Sequence, residues 1–181
     1  MLNRIPKESV DAAPSYRITD RRRTSTPQSW ISDRISSRGS AFLVYSAPHQ
    51  IVHECFTPNK SPNAIPASIM FNLSLTHHMK AMANPSPAAY GTALQLYEHS
   101  YRLLARDESS EYLLLLAVMN NIAHVQYKMR DRCAAERTCS LLWSAVLEVE
   151  GQDATMSSKV DGFCTNVIQV FFKHSQSAAV A

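Results

Sequence analysis

Downstream of Pro66 the apolar side chains recur at steps of three and four, the spacing that gathers them on one side of an α-helix. Five stretches follow this rule. The first, about 67–82, carries Ile69, Met70, Leu73, Met79 and Met82. The second opens on Ser86-Pro87, a cap residue followed by a proline whose missing N–H costs nothing in a first turn, and continues through Tyr90, Ala93, Leu94, Tyr97, Tyr101 and Leu104. The third begins near Asp107-Glu108-Ser109, with acids at the positive end of the helix dipole, and shows Leu115, Val118, Ile122, Val125 and Met129. The fourth starts after Asp131 as N-cap, repeats the pattern with Ala135, Cys139, Leu142 and Val146, and is expected to end before Gly151. The fifth, about 157–172, has one strongly amphipathic face built from Val160, Phe163, Cys164, Val167, Ile168 and Phe171.

Upstream the pattern changes. The runs AFLVYS (41–46) and IVHECF (51–56) favour strands and flank Ala47-Pro48-His49-Gln50, which predicts a small β-hairpin followed by a proline-rich linker up to residue 66. Residues 1–40 are rich in Ser, Thr, Arg and Pro and have no apolar period, so they are expected to form a disordered arm. All nine prolines lie at or before Pro87, leaving the remainder free to be helical. The fold class expected is therefore mainly α: a basic arm (1–40) and one domain (41–181), made of hairpin and linker (41–66), two helical hairpins (67–150) and a closing helix (153–173).

With 181 residues, 45% of them hydrophobic, a single domain of this size buries roughly two-thirds or more of its unfolded surface. The net charge of +3 is concentrated in the arm, where eight basic residues face four acids. Cys55, Cys133, Cys139 and Cys164 form no CxxC pair and sit in apolar surroundings, which points to a reducing compartment. The opening MLNRIPKESVDAAPSYR has no apolar run of the kind a secretory leader needs, and the apolar stretch at 112–119 is far short of the ~20 residues of a membrane span. A cytoplasmic protein is expected. Nuclear import through Arg21-Arg22-Arg23 stays open.

Two segments are built alike: NLSLTHH followed by ALQLYEHSYRLL, and NNIAHVQYKMRDRCAAERTCSLL. Here the chain resembles the tetratricopeptide repeat (TPR), in particular the longer-period form seen in kinesin light chains with its NNLA-like first helix. Leu73-Ser74 and Ile122-Ala123 match that repeat's large-small pair, Ala93 and Ala135 match the small residue of its second helix, and Tyr97 and Cys139 match the bulky position that follows. The resemblance covers about residues 68–147. It departs from the pattern by an insertion around 84–91, by Arg130 in place of the turn glycine and by Arg132 in place of the neighbouring aromatic. The fifth helix resembles the cap that closes such arrays. An irregular helical bundle using the same stripes is the alternative.

The resemblance implies that the first helix of each unit lines a concave groove. The matching positions are Phe71, Leu75, His78 and Met79 in the first unit and Asn120, His124, Tyr127 and Lys128 in the second, with Asn72 and Asn121 equivalent to one another. These residues suit a peptide or protein partner held by hydrogen bonds and aromatic contact. The competing reading has Phe71 and Leu75 covered by the N-terminal hairpin and the polar residues merely solvated. His77, His78 and His124 make a poor metal site, because adjacent helical residues diverge by about 100°. No G-x-S-x-G serine and no glycine-rich phosphate loop is present, and no cofactor or enzymatic activity is expected. A non-catalytic interaction module or scaffold is the leading expectation. Nucleic-acid association through the basic arm is the runner-up.

Overall fold

The computed structural model describes residues 30–34, 41–51, 61–106, 111–152 and 160–169. The fold is mainly α-helical. Strands β1 (Trp30–Arg34) and β2 (Ala41–Tyr45) precede helices α1 (Ala64–Ala83), α2 (Pro87–Leu104), α3 (Tyr112–Lys128) and α4 (Arg132–Gln152), and a fifth helix, α5, spans residues 160–169. The connections 84–86 and 129–131 are too short for anything but neighbouring helices that reverse direction, and α1 with α2, and α3 with α4, form the main helix pairs. α2 packs on α3 and joins the two hairpins.

Local chemistry explains most of the boundaries. The Ser86 hydroxyl accepts from the Ala89 N–H at 3.4 Å, with Pro87 in the first turn of α2. The Asp131 carboxylate accepts from the Ala134 N–H at 3.0 Å and starts α4. Between α3 and α4 the chain turns through Arg130 at φ 66, where the Asp131 N–H reaches back to the Gln126 carbonyl and the Arg130 N–H to that of Tyr127. This six-to-one and five-to-two pair is the Schellman arrangement, with arginine in the left-handed position that glycine usually fills. The acid-led start expected for the third helix, at 107–109, lies outside the described residues; α3 begins at Tyr112, after Glu111, with no side-chain cap.

α3 is the centre of the molecule. Leu114 and every residue from Leu116 to Val125 are buried, and the helix touches α1, α2, α4 and β2. Ala67, Ala93 and Tyr97 fill the α1–α2 seam at 0% exposure, and the Ser100 hydroxyl donates across it to the Ala67 carbonyl at 2.9 Å. Ala135, Cys139, Leu142 and Val146 are the buried side of α4; Val160, Phe163 and Val167 bring α5 into the core.

Four expectations need correction. β2 pairs antiparallel with β1, upstream; of the return strand expected at 51–56, Ile51 is exposed and outside any strand, and 52–56 lie outside the described residues. The physical reason at the described end is that the His49 main chain is bonded to Asn72 of α1. Trp30–Arg34 also falls within the stretch expected to be disordered, because a partner strand eleven residues on supplies the pairing that a local pattern cannot reveal. In α1, Ile69 and Leu73 are 51% and 45% exposed, while small and polar residues, Ala67, Ser68, Ser74, His78 and Ala81, occupy the buried side. Finally, α4 continues through Gly151 to Gln152.

Candidate peptide-binding face

The inner face of the helices is covered by β2 and the residues that follow it. Asn121 of α3 accepts from the Tyr45 N–H at 3.0 Å and donates to the Tyr45 carbonyl at 2.8 Å. Asn166 of α5 treats Leu43 in the same way, at 2.7 Å for both bonds. Asn72 of α1 does so for His49, at 2.8 and 2.9 Å. Three asparagines on three helices thus each bind both main-chain groups of one residue. Asn120 adds a second donor to the Leu43 carbonyl at 3.0 Å.

This arrangement follows from strand geometry. Successive residues of an extended chain send N–H and C=O to opposite edges, so Leu43 and Tyr45, two apart in β2, face the same way, and His49, beyond the end of the strand, presents the same pair of groups to Asn72. A primary amide offers one donor and one acceptor side by side and stands in for a neighbouring strand. By the same alternation the Phe42 and Val44 main chains are left to pair with Asp33 and Ile31 of β1. β2 is in effect a central strand, with a real strand on one edge and a row of amides on the other.

The amides are themselves fixed. Asn166 donates to the Asn120 Oδ1 at 2.6 Å, and Asn120 donates to the Asn121 Oδ1 at 3.2 Å, so these three fully buried side chains form one network. Asn121 also donates to the Tyr97 hydroxyl at 3.0 Å, which uses the full hydrogen-bonding capacity of its amide. From Tyr97 the chain of bonds continues to His78 Nδ1 at 3.2 Å, and His78 Nε2 lies 2.8 Å from His124 Nδ1. With the Tyr97 O–H donating to His78, the neutral tautomers follow in sequence: His78 carries its proton on Nε2 and gives it to His124 Nδ1. Burial pushes the Tyr97 hydroxyl well above the usual phenol range, against the smaller opposing effect of its bond to Asn121. At the other end, His49 Nδ1 lies 2.9 Å from the Ser68 hydroxyl and its Nε2 3.8 Å from a Glu111 carboxylate oxygen, a contact that is ionic when the imidazole is protonated.

Side chains of the strand complete the face. Phe42 and Val44 are 0% exposed, and the Phe42 ring centroid is 5.1 Å from that of His124. Tyr45, on the opposite side of the strand, lies 6.4 Å from Phe71 and 6.1 Å from Phe163.

Of the residues expected to line an open groove, Phe71, Leu75, His78, Asn120, Asn121 and His124 are buried, and Asn72 is half-buried. The face is thus neither open nor faced by solvated polar groups: the polar residues are sequestered and bonded to the strand or to one another. Tyr127 and Lys128 stand apart from this network. They are half-buried at the end of α3, where Lys128 lines a cleft of about 400 Å³ with Pro85, Tyr90 and Arg130. Sequence reasoning passed over Asn166, and it placed Tyr97 and the strand at 41–46 without their part in this network. The available signal was an amide three residues after Phe163 on the apolar side of α5, since a buried amide demands a partner. The His78–His124 pairing is a tertiary contact between helices. Among the described residues no group of three or more His, Cys, Asp or Glu is arranged to hold a metal ion, and no helix is long and apolar enough to cross a membrane. Comparison with protein-family models, with curated proteins and with solved structures finds no match for this chain.

Proposed function

We propose that this chain is a non-catalytic protein-interaction module, a scaffold of TPR-like helical hairpins whose inner face grips an extended peptide or protein segment. The observation that supports this reading is the set of amide pairs made by Asn72, Asn121 and Asn166 to the main chain of residues 43–49. Recognition through main-chain N–H and C=O is how strand-adding domains obtain affinity, with pockets for alternate side chains supplying selectivity. Asparagine amides are neither nucleophiles nor acids at neutral pH, which suits binding better than chemistry. The thiols of Cys133 and Cys139 are free, which suits a cytoplasmic setting.

The experiment is proximity cross-linking of the full-length chain in its own cells, with peptide mapping of the contacted helices. Partners should cross-link along α1, α3 and α5, and be lost from Asn72→Ala, Asn121→Ala and Asn166→Ala variants whose helicity is intact. They should persist with Tyr127→Ala. An unchanged set of partners in the asparagine variants would overturn the proposal.

A further inference from the structure

The inner face makes two separate demands on whatever lies in it. The asparagines touch only N–H and C=O, so they require an extended main chain and are indifferent to side-chain identity at Leu43, Tyr45 and His49. Selectivity resides elsewhere. Phe42 and Val44, two residues apart and therefore on one side of the strand, are the only residues of the described part of 42–51 that are fully enclosed. Phe42 rests on His124, itself fixed by the His78–Tyr97–Asn121 chain, so the pocket and the amide grip are parts of one hydrogen-bonded unit.

The strand's attachment has a second property. β1 pairs with β2, and β2 is held in turn by α3, by Asn166 and Phe163 of α5 and by Phe71 of α1. The asparagines therefore hold the strand through which β1 is paired. That strand is covalently joined to α1 through residues 52–60, so its occupancy of the face is an intramolecular binding event, governed by an effective concentration. Any peptide in solution competes against that value, and its apparent affinity falls by the occupied fraction.

We infer that the face selects an extended peptide with large apolar side chains at two alternate positions, as supplied by Phe42 and Val44, and that residues 41–51 are a resident copy of this ligand which an incoming peptide displaces. This inference rests on the proposed interaction function and specifies its partner. The sequence of the resident copy, AFLVYSAPHQI, is the template: an apolar residue, any residue, a second apolar residue, then an aromatic that slots between Phe71 and Phe163.

The test uses the full-length chain and a fluorescent peptide of residues 41–51. In a Val44→Asp variant, where a buried carboxylate expels the resident segment, the peptide should bind at least tenfold more tightly than to the wild-type chain. A peptide with serine at the places of Phe42 and Val44 should lose at least tenfold, and one with serine at the place of Leu43 less than threefold. If all three peptides bind the variant alike, the selectivity is overturned while the interaction function stands. If none binds a variant with intact helices, both are overturned. Should Val44→Asp unfold the chain, hydrogen exchange on the wild-type protein decides: the Leu43 and Tyr45 amides should exchange at least tenfold faster than those of 116–125. Equal rates would mean that the segment leaves only when the helices unfold, and would overturn displacement.

Discussion

Asn121 and Tyr45 are joined twice, through the Tyr45 N–H at 3.0 Å and its carbonyl at 2.8 Å, although 76 residues separate them in the chain. The remaining amide proton of Asn121 goes to Tyr97. One side chain therefore ties the strand to α3 and α3 to α2.

Replacing Asn121 by alanine strands both main-chain groups of Tyr45 and removes one of the two bonds of the Tyr97 hydroxyl. Each unsatisfied buried group costs about 1–3 kcal/mol, less whatever water recovers, so Asn121→Ala is expected to lose about 2–4 kcal/mol. Asn72→Ala, at a half-buried position, should lose about 1 kcal/mol. Urea denaturation of both variants checks the ranking, and equal losses would contradict it.

The imidazoles of His78 and His124 satisfy each other in the interior. Removing one leaves the other with a missing partner, whereas removing both deletes the contact. In a double-mutant cycle, His78→Leu with His124→Leu should therefore cost less than the sum of the singles, by about 1 kcal/mol or more. Additive losses would show that the 2.8 Å contact contributes nothing.

Arg130 holds a left-handed backbone at φ 66 in the α3–α4 turn. Glycine adopts that conformation without the steric cost borne by a Cβ, and the turn lies outside both helices, so no interior helix propensity is lost. Arg130→Gly is expected to stabilise the protein by about 0.5–1 kcal/mol, visible in thermal unfolding as a rise of about 1–4 °C. A lower Tm would mean that the arginine side chain contributes more than its backbone costs.

Stability should fall in alkali. Burial, with a smaller contribution from Glu136, pushes the Cys139 thiol up to about 12 from 9.0. Between those values the folded chain keeps a proton that the unfolded chain has released, so the stability present below pH 9 is lost as pH rises through the window. Tyr97, raised in the same direction, adds to the loss above pH 10. Denaturation midpoints measured from pH 8 to 11 should decline progressively, and less steeply in Cys139→Ala measured against its own value at pH 8.

The same burial separates the thiols by reactivity. Cys133 is exposed and Cys139 is fully enclosed. A thiol reagent at neutral pH should modify Cys133 promptly and Cys139 only after denaturant is added, as read by peptide mass mapping. Prompt labelling of Cys139 would show that α4 opens away from α3.

The helices were legible because their signals are local: Ser86-Pro87 and Asp131 act on amides within four residues, and the second, fourth and fifth helices hold their buried side chains at helical steps, although Ile168, expected on the apolar side of the fifth, is exposed and Phe171 lies outside the described residues. The first helix misled for a physical reason. Its buried side faces α2 and the segment after β2, where close approach selects alanine and serine, main-chain recognition selects Asn72 and the side-chain network selects His78, leaving Ile69 and Leu73 outside. Asn72, Asn120 and Asn121 were picked out by position and the N-terminal hairpin was weighed as a cover, but the amide-to-main-chain pairing was not legible, because β2 meets Asn121 and Asn166 across 76 and 123 residues. The strand partner of β2 lies close in sequence but carries no alternating apolar pattern of its own.

The amide row also sets which substitutions the strand tolerates. Residues 43, 45 and 49 each donate an N–H to an asparagine, and proline alone among the amino acids has no such proton. The asparagines therefore leave the side chains at those three positions to other contacts, yet close all three to proline. The proline that the segment does contain, Pro48, occupies the opposite parity, where no asparagine asks for a proton, and it biases Ala47 toward the extended backbone that delivers His49 to Asn72.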